Sequence, residues 1–250
     1  IPFARHTALS DDGSPATLAE LAQRAAGMKN WGVLRGDVDN FRARLQKANS
    51  IEDFVRYSLV YKQFFAGEVE LLCSLPDYFR KVTVLYTSGD GFAIAGSWDA
   101  LLPLARDIQR IFHTFATESL KDLDGLEGKT LSMAMVLATD AMNTLPAVYA
   151  EAGRRLDITK SERKDAISAF GSTLEWNQLA DAAELVEILV RMDSEMKPRG
   201  QRLDLGQAYR VGARSGSGSL ERPWRVHWRL HTVFGTLPEK DFQRLRCHLI

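Results

Sequence analysis

The chain is poor in cysteine: Cys73 and Cys247 are its only two. They stand far apart and neither has a CxxC companion, which argues against a structural zinc site. Two isolated thiols fit a reducing cytoplasm and read as buried, inert side chains. Long apolar runs are also missing. Without a signal peptide or a stretch of about 18 apolar residues, a soluble, non-secreted, cytoplasmic protein with no membrane contact is expected. Charge of one sign is lacking too, since Lys+Arg and Asp+Glu number 32 each and the net charge is zero. No overall basic field exists to hold nucleic acid, so any such contact is local or comes through partners. GxSxG, Walker, HExxH and GxGxxG motifs are absent, which removes the common hydrolase, NTPase, zinc-protease and dinucleotide signatures. His227 and His231 have no carboxylate or Cys companion that would suggest a metal. The 250 residues, 45% of them hydrophobic, suffice for one large domain or two small ones. The first residues are Ile1-Pro2 rather than Met, which suggests a piece of a longer protein.

What the chain does have is acidic residues at the ends of strand-like runs. Residues 33–41 (VLRGDVDNF) and 82–99 (VTVLYTSGDGFAIAGSWD) each carry Asp where an apolar run stops. Around them the periodicity is legible. Residues 1–17 are irregular, with a turn at Asp11-Asp12-Gly13. An amphipathic helix is predicted over 18–28, ended by Asn30, and a strand over 31–35. A long helix is predicted over 51–72 with Ser50 as its N-cap. Its Phe54, Tyr57, Tyr61, Phe64 and Phe65 recur at helical spacing and read as core rather than as a base-stacking platform. Strands at 81–86 and 92–95 flank Thr87-Ser88-Gly89-Asp90-Gly91, a hairpin with turn chemistry at its tip. A second helix follows from Trp98 to about Leu120, then a polar loop and a strand over 130–138. Pro146 marks another helix start. A short apolar run over 166–170 reads as an edge strand.

This order, strand–helix–strand–strand–helix–strand, is the βαββαβ arrangement of a ferredoxin-like palm, an α+β fold of the nucleotide-cyclase or polymerase type. The expected domains are a lead-in segment with a short helix (1–30), the palm (31–175) and a mostly helical C-terminal domain (176–250). The C-terminal domain carries an amphipathic helix over 176–192, a flexible linker near 194–219 and a strand-like alternation over 224–233. The Ser-Gly run at 215–219 reads as flexible, whether natural or engineered.

Two strands meeting side by side can bring Asp carboxylates and a backbone carbonyl to one spot. Mg²⁺ or Mn²⁺ prefers such hard oxygen ligands, and two ions can activate a 3′-hydroxyl and stabilise a triphosphate leaving group. Asp37, Asp90 and the Val38 carbonyl are the candidate metal ligands, and Asp37 and Asp90 the candidate catalytic residues. Asp39 carries less weight because the chain is turning there. The plain alternative is that these are turn-forming Asp residues at strand ends. Lys160 and Lys164 lie four apart. On a helix they would share a face and could meet triphosphate oxygens; otherwise they form a solvated basic surface. Ser88 and Gly89 could let backbone amides approach phosphates.

Assembled, these residues resemble the large subunit of type III CRISPR RNA-guided interference complexes, in its second palm and the helical domain behind it. The matching pieces run in order: LAQRAAGMKNWGVLRGDVDNF (21–41), Phe64-Phe65, VTVLYTSGDGFAIAGSWD (82–99), LSMAM (131–135) and TKSERKDAISAFGSTLEW (159–176). The resemblance covers most of residues 15–192. It implies a palm that makes cyclic oligoadenylates from ATP when its complex binds target RNA. It puts Asp37 and Asp90 on metal, Ser88 and Gly89 by the nucleotide phosphates, Ser132 near the site, and Lys160 and Lys164 at the triphosphate. The implied partners are the other effector subunits, a small helical subunit among them, with guide and target RNA held through the complex. The departures fall where chemistry should be. The family's Gly-Gly-Asp-Asp tip is Ser88-Gly89-Asp90-Gly91 here, Arg42 stands where Gly is usual, and Ala134 replaces another usual Gly. These changes point to weakened or lost cyclase activity and a scaffold role. The alternatives are an active cyclase despite Gly91, and a stand-alone diguanylate-cyclase-like enzyme. The third suits residues 37–41 but not Asp90-Gly91-Phe92, which lacks the acidic residue before Phe.

Overall fold

A computed structural model describes residues 5–121 and 123–180, with Ala182, Ala183, Val186, Glu239 and Gln243 beyond them. Two compact units are present, Ile1–Leu179 and Ala180–Ile250, and the described residues lie almost wholly in the first. Of the expected C-terminal domain (176–250) only residues 176–180 and those five are described; its linker at 194–219, the run at 224–233 and Cys247 lie outside the described residues.

The first unit is built on a six-stranded sheet: β1 (Trp31–Val38), β2 (Val82–Thr87), β3 (Gly91–Ser97), β4 (Leu131–Leu137), β5 (Ala166–Ala169) and β6 (Ser172–Glu175), in the order β2-β3-β1-β4-β5-β6. The first four strands stand in the 2-3-1-4 order of a ferredoxin-like palm, so the predicted α+β palm fold is present. β1 is central and pairs antiparallel with β3 and β4. β5 runs parallel to β4, and β6 pairs back on β5. The run at 166–170 is therefore an interior strand, not the expected edge. Its four β residues are all buried because β6, which the sequence pattern did not reveal, covers the outer side.

Because side chains alternate along a strand, β1 feeds two cores. Leu34 and Val38 face one layer, made of α3 (Ile51–Gln63), a π-helical turn at Phe64–Glu68, α4 (Val69–Cys73) and α5 (Trp98–Ser119). Trp31 and Val33 face the other, where α1 (Leu18–Gln23) and α6 (Leu145–Glu162) lie. α1 starts at Thr17, whose hydroxyl accepts from Glu20 N while the Glu20 carboxylate returns to Thr17 N, a reciprocal cap. It ends at Gln23, several residues short of the predicted 28. Ser50 caps α3 as expected, accepting from Asp53 N.

The predicted single helix over 51–72 is interrupted by the π-helical turn, which brings Phe64 and Phe65 in succession into the core. Phe64 meets Phe65 edge to face with centroids 5.1 Å apart and Phe112 at 5.1 Å. Such edge-to-face pairs add about 0.5–1.5 kcal/mol each beyond the area they bury. Tyr61 and both phenylalanines are buried, but Phe54, expected in the same stripe, is 47% exposed. Ile51, Val55 and Leu59 on the same helix are exposed as well. A short helix at Phe41–Gln46, here α2, was not expected. It follows Asn40, which takes a left-handed φ of 56°, a conformation Asn tolerates better than most residues.

Candidate active site

The odd-numbered residues of β1 turn toward α6, and this face carries the chemistry. Asp37 pairs in register with Gly91 on β3 and with Ser132 on β4. The hairpin tip is zipped against β1, since Val38 N donates to the Asp90 carbonyl at 2.8 Å. Ser88 holds the tip from inside. Its hydroxyl accepts from Gly91 N at 2.9 Å and lies 2.9 Å from Asp90 Oδ1, to which it can donate. Gly89 has no neighbour within 4 Å of where a Cβ would stand, and it does not take a positive φ. Neither space nor backbone conformation calls for glycine there.

Lys160, in the last turn of α6, donates to Asp37 Oδ2 and, at 3.2 Å, to the Val38 carbonyl. The fold thus brings Lys160 onto Asp37 and Val38, which lie more than a hundred residues before it in sequence. Burial pushes the Asp37 carboxyl above the usual Asp range, against the pull of Lys160; Asp90 and Asp39 push it further in the same direction. Lys164 donates to Asn40 Oδ1 at 2.7 Å. It does not share a helix face with Lys160, because α6 ends at Glu162. The turn after the helix carries Lys164 back over the β1–α2 loop instead.

Asp39 takes a different part. It is 1% exposed, and both of its carboxylate oxygens are occupied. Oδ1 accepts from Ser132 Oγ at 2.8 Å, and Oδ2 from Thr130 Oγ1 at 2.8 Å and Asp165 N at 3.0 Å. It ties the end of β1 to the start of β4 and to the turn between α6 and β5. Ser132, expected near the site, lies beside Asp37 in register but is fully buried and spends its hydroxyl on Asp39. Sequence reasoning missed this network, whose Thr130 and Asp165 carry no local signal. It also missed Arg35, one pleat from Asp37 on the same face. The Arg35 guanidinium lies 4.4 Å over the Tyr149 ring and donates to the Tyr149 carbonyl at 3.4 Å, which fastens α6 to the sheet. Arg42 is exposed on α2.

Gly91 packs closely against β1. A Cβ there would stand 2.7 Å from the Gly36 carbonyl oxygen and 3.2 Å from Asp37 Oδ1. The first neighbour is backbone of a central strand, so no side-chain rotation relieves the contact. Among the described residues no group of three or more acidic, His or Cys side chains gathers to hold a metal. Asp37, Asp90 and the Val38 carbonyl nevertheless offer hard oxygen donors suited to Mg²⁺ or Mn²⁺. The mutual repulsion of the carboxylates around Asp37 is what a bound cation would relieve.

Residues 30–168 match the family described as Cas10/Cmr2, second palm domain. The Thermococcus onnurineus (strain NA1) CRISPR system single-strand-specific deoxyribonuclease Cas10/Csm1 (subtype III-A) is 25% identical over 173 residues, covering 64% of this chain and 21% of its own length. The protein of the same description from Mycobacterium tuberculosis (strain ATCC 25618 / H37Rv) is 25% identical over 120 residues, covering 40% of this chain and 15% of its own. The chain thus spans about a fifth or less of the length of these curated relatives. Among solved structures, a Csm1-Csm4 cassette in complex with pppApApA superposes with a TM-score of 0.70 at 21% identity, over 95% of this chain and 36% of that one. A Csm1-Csm4 cassette in complex with AMPPNP gives 0.60 at 24%, over 70% and 27%. At these identities the superpositions show a shared fold.

Proposed function

The chain belongs to the Cas10/Cmr2 family, whose second palm domain it carries, and on that premise we propose that it is part of the large subunit of a type III CRISPR effector complex. Its palm binds ATP, its cyclic oligoadenylate chemistry is weakened or lost, and its main role is as scaffold. The single observation that carries the degenerate reading is the close approach at Gly91. β1 and β3 are packed so that the Gly36 carbonyl oxygen lies 2.7 Å from where a Cβ at position 91 would stand. The second tip carboxylate is absent, and a side chain there would require the strands to shift.

Nucleotide binding draws support from the relatives, whose cassettes were solved with AMPPNP, with one ATP, with cA3 and with cA4. In this chain Asp37, Asp90 and the Val38 carbonyl would hold Mg²⁺ or Mn²⁺. A bound ion there would neutralise phosphate charge and favour ionisation of a 3′-hydroxyl. Lys160 and Lys164 would meet the triphosphate as point charges. The open surface at Gly89 would let phosphates come close to the tip, with Ser88 fixing the turn beneath it. Ser132 and Asp39 act by holding β1 against β4. The two lysines balance the two carboxylates, so the site offers a divalent ion little net attraction, which also favours weak chemistry.

The proposed partners are other effector subunits, a small helical subunit among them, with guide and target RNA bound through the complex. The relatives' Csm1-Csm4 subcomplex and the zero net charge of this chain support that arrangement, in a prokaryotic cytoplasm. No helix among the described residues is long and apolar enough to cross a membrane. The test is mass spectrometry of products from the guide-loaded complex with ATP, Mn²⁺ and matching target RNA. Trace or no cyclic oligoadenylate is expected, with any trace abolished by Asp37→Asn. Sustained, multiple-turnover product would overturn the degenerate reading in favour of an active cyclase. A guanine dinucleotide made from GTP would overturn the family role.

A further inference from the structure

Lys160 donates to Asp37 Oδ2 and to the Val38 carbonyl, two of the three oxygens assigned above to a divalent ion. The contact is half-buried, with the Lys160 side chain 23% and the Asp37 side chain 34% exposed, so solvent does not dissolve it as it would a surface pair. An ammonium is a compact point charge with three donors. A Mg²⁺ ion needs its oxygens at about 2.0–2.1 Å. The two cations cannot use the same carboxylate oxygen and carbonyl together, and their like charges repel. Lys164 differs, because its partner is the neutral amide of Asn40 and it vacates no metal ligand when it moves.

We infer that Lys160 is an internal counter-ion that holds the metal position closed until a triphosphate draws it away, so that metal and nucleotide load together. The inference rests on the nucleotide-palm reading above. Phosphate oxygens supply Lys160 with a new partner, and the freed Asp37 and Val38 oxygens turn to the ion. By linkage the effect is reciprocal: nucleotide tightens metal binding by the factor by which metal tightens nucleotide binding. An allosteric coupling of ordinary size is about 5–150-fold, and a shared ligand pair places this one at about tenfold or more.

The experiment is Mn²⁺ binding to the full 250-residue chain, followed by the electron paramagnetic resonance of free Mn²⁺, with thermal melts to show that each variant is folded. Without nucleotide, Lys160→Met and Lys160→Gln should bind Mn²⁺ about tenfold more tightly than wild type. Lys164→Met, which removes a charge but frees no metal ligand, should gain much less than Lys160→Met, and the Lys160 gain should vanish when Asp37→Asn is added. At matched free Mn²⁺, a non-hydrolysable ATP analogue should tighten wild-type metal binding about tenfold and leave Lys160→Met nearly unchanged. Folded Lys160 variants that bind Mn²⁺ no more tightly than wild type, while Asp37→Asn abolishes binding, would overturn the inference and leave the metal site standing. Absence of Mn²⁺ binding from every chain, with or without the analogue, would overturn the underlying reading as well.

Discussion

The two faces of the sheet are built from different materials. Toward α3, the π-helical turn and α5, β1 and β3 present Leu34, Val38, Phe92 and Ile94 to an interlocked group of Phe64, Phe65 and Phe112. Toward α6 the same strands present Ala93, Ala95, Gly91, Arg35 and Asp37, and the helix answers with Ala152, Gly153 and Lys160. One face excludes water with bulk, while the other has an apolar core at its Trp31–Val33 end and leaves charged groups half-buried at the other. Large aromatic side chains supply stability but no chemistry, and an ionic site gives up packing to keep its charges accessible. The strands serve both because their side chains alternate, so stability and the candidate site are assigned residue by residue rather than region by region.

The largest expected effect lies on the aromatic face. Phe65→Ala should destabilise the fold by about 3–5 kcal/mol, as truncation of a buried aromatic does, read from denaturant unfolding. A loss below about 1 kcal/mol would break the contrast between the faces. Next comes Asp39→Ala, which leaves the buried Ser132 hydroxyl and the part-buried Thr130 hydroxyl and Asp165 N–H without their acceptor. Each orphaned group costs about 1–3 kcal/mol unless water replaces the carboxylate, so unfolding at lower denaturant is expected. A melt unchanged from wild type would show that the network does not hold β1 to β4.

Gly91→Ala should cost about 1–3 kcal/mol through overpacking against the Gly36 carbonyl. For the same reason Gly91→Asp should not restore cyclase product. Product from Gly91→Asp would mean that the strands part easily and that the chemistry was lost at one position alone. The smallest effect is a pH effect on the outer surface of α6. Glu151 is held at about 2 by its hydrogen bonds to Arg154 and Arg155. Its folded value lies below its unfolded one, so its contribution is present above about pH 4.5 and is lost as pH falls toward about 2. As an exposed helical pair it should amount to only about 0.3–0.5 kcal/mol. Glu151→Gln should flatten the pH dependence of stability in that window by that amount.

The palm order was legible because apolar runs and turn residues mark it directly. Ser50, Pro146 and the tip at residues 87–91 announced two helices and a hairpin from local chemistry. What was not legible depended on contacts distant in sequence. Asp37 and Asp39 look alike in the sequence, yet only pairing with β4 decides that Asp39 is consumed by Thr130 and Ser132 while Asp37 stays half-buried beside Lys160. Gly91 read as a lost carboxylate; its approach to Gly36 exists only once β1 and β3 are in register. Tyr61 is buried against Phe41, Phe115 and the Gly128 carbonyl while Phe54 on the same helical stripe is 47% exposed, a difference set by contacts that periodicity does not carry. Likewise β5 looked like an edge because β6 is short and weakly apolar.

The most direct test of the account is calorimetric binding of a non-hydrolysable ATP analogue, with Mn²⁺, to the 250-residue chain and to its Gly89→Ala, Lys164→Met and Asp37→Asn variants. The account predicts binding by wild type, a loss of about tenfold or more in Lys164→Met and Asp37→Asn, and weaker binding in Gly89→Ala. The melt of Gly89→Ala should stay within about 0.5 kcal/mol of wild type, since nothing in the fold requires that glycine. Binding that none of the three substitutions alters, or no binding by wild type, would contradict the assignment of the α6-side face as the nucleotide site.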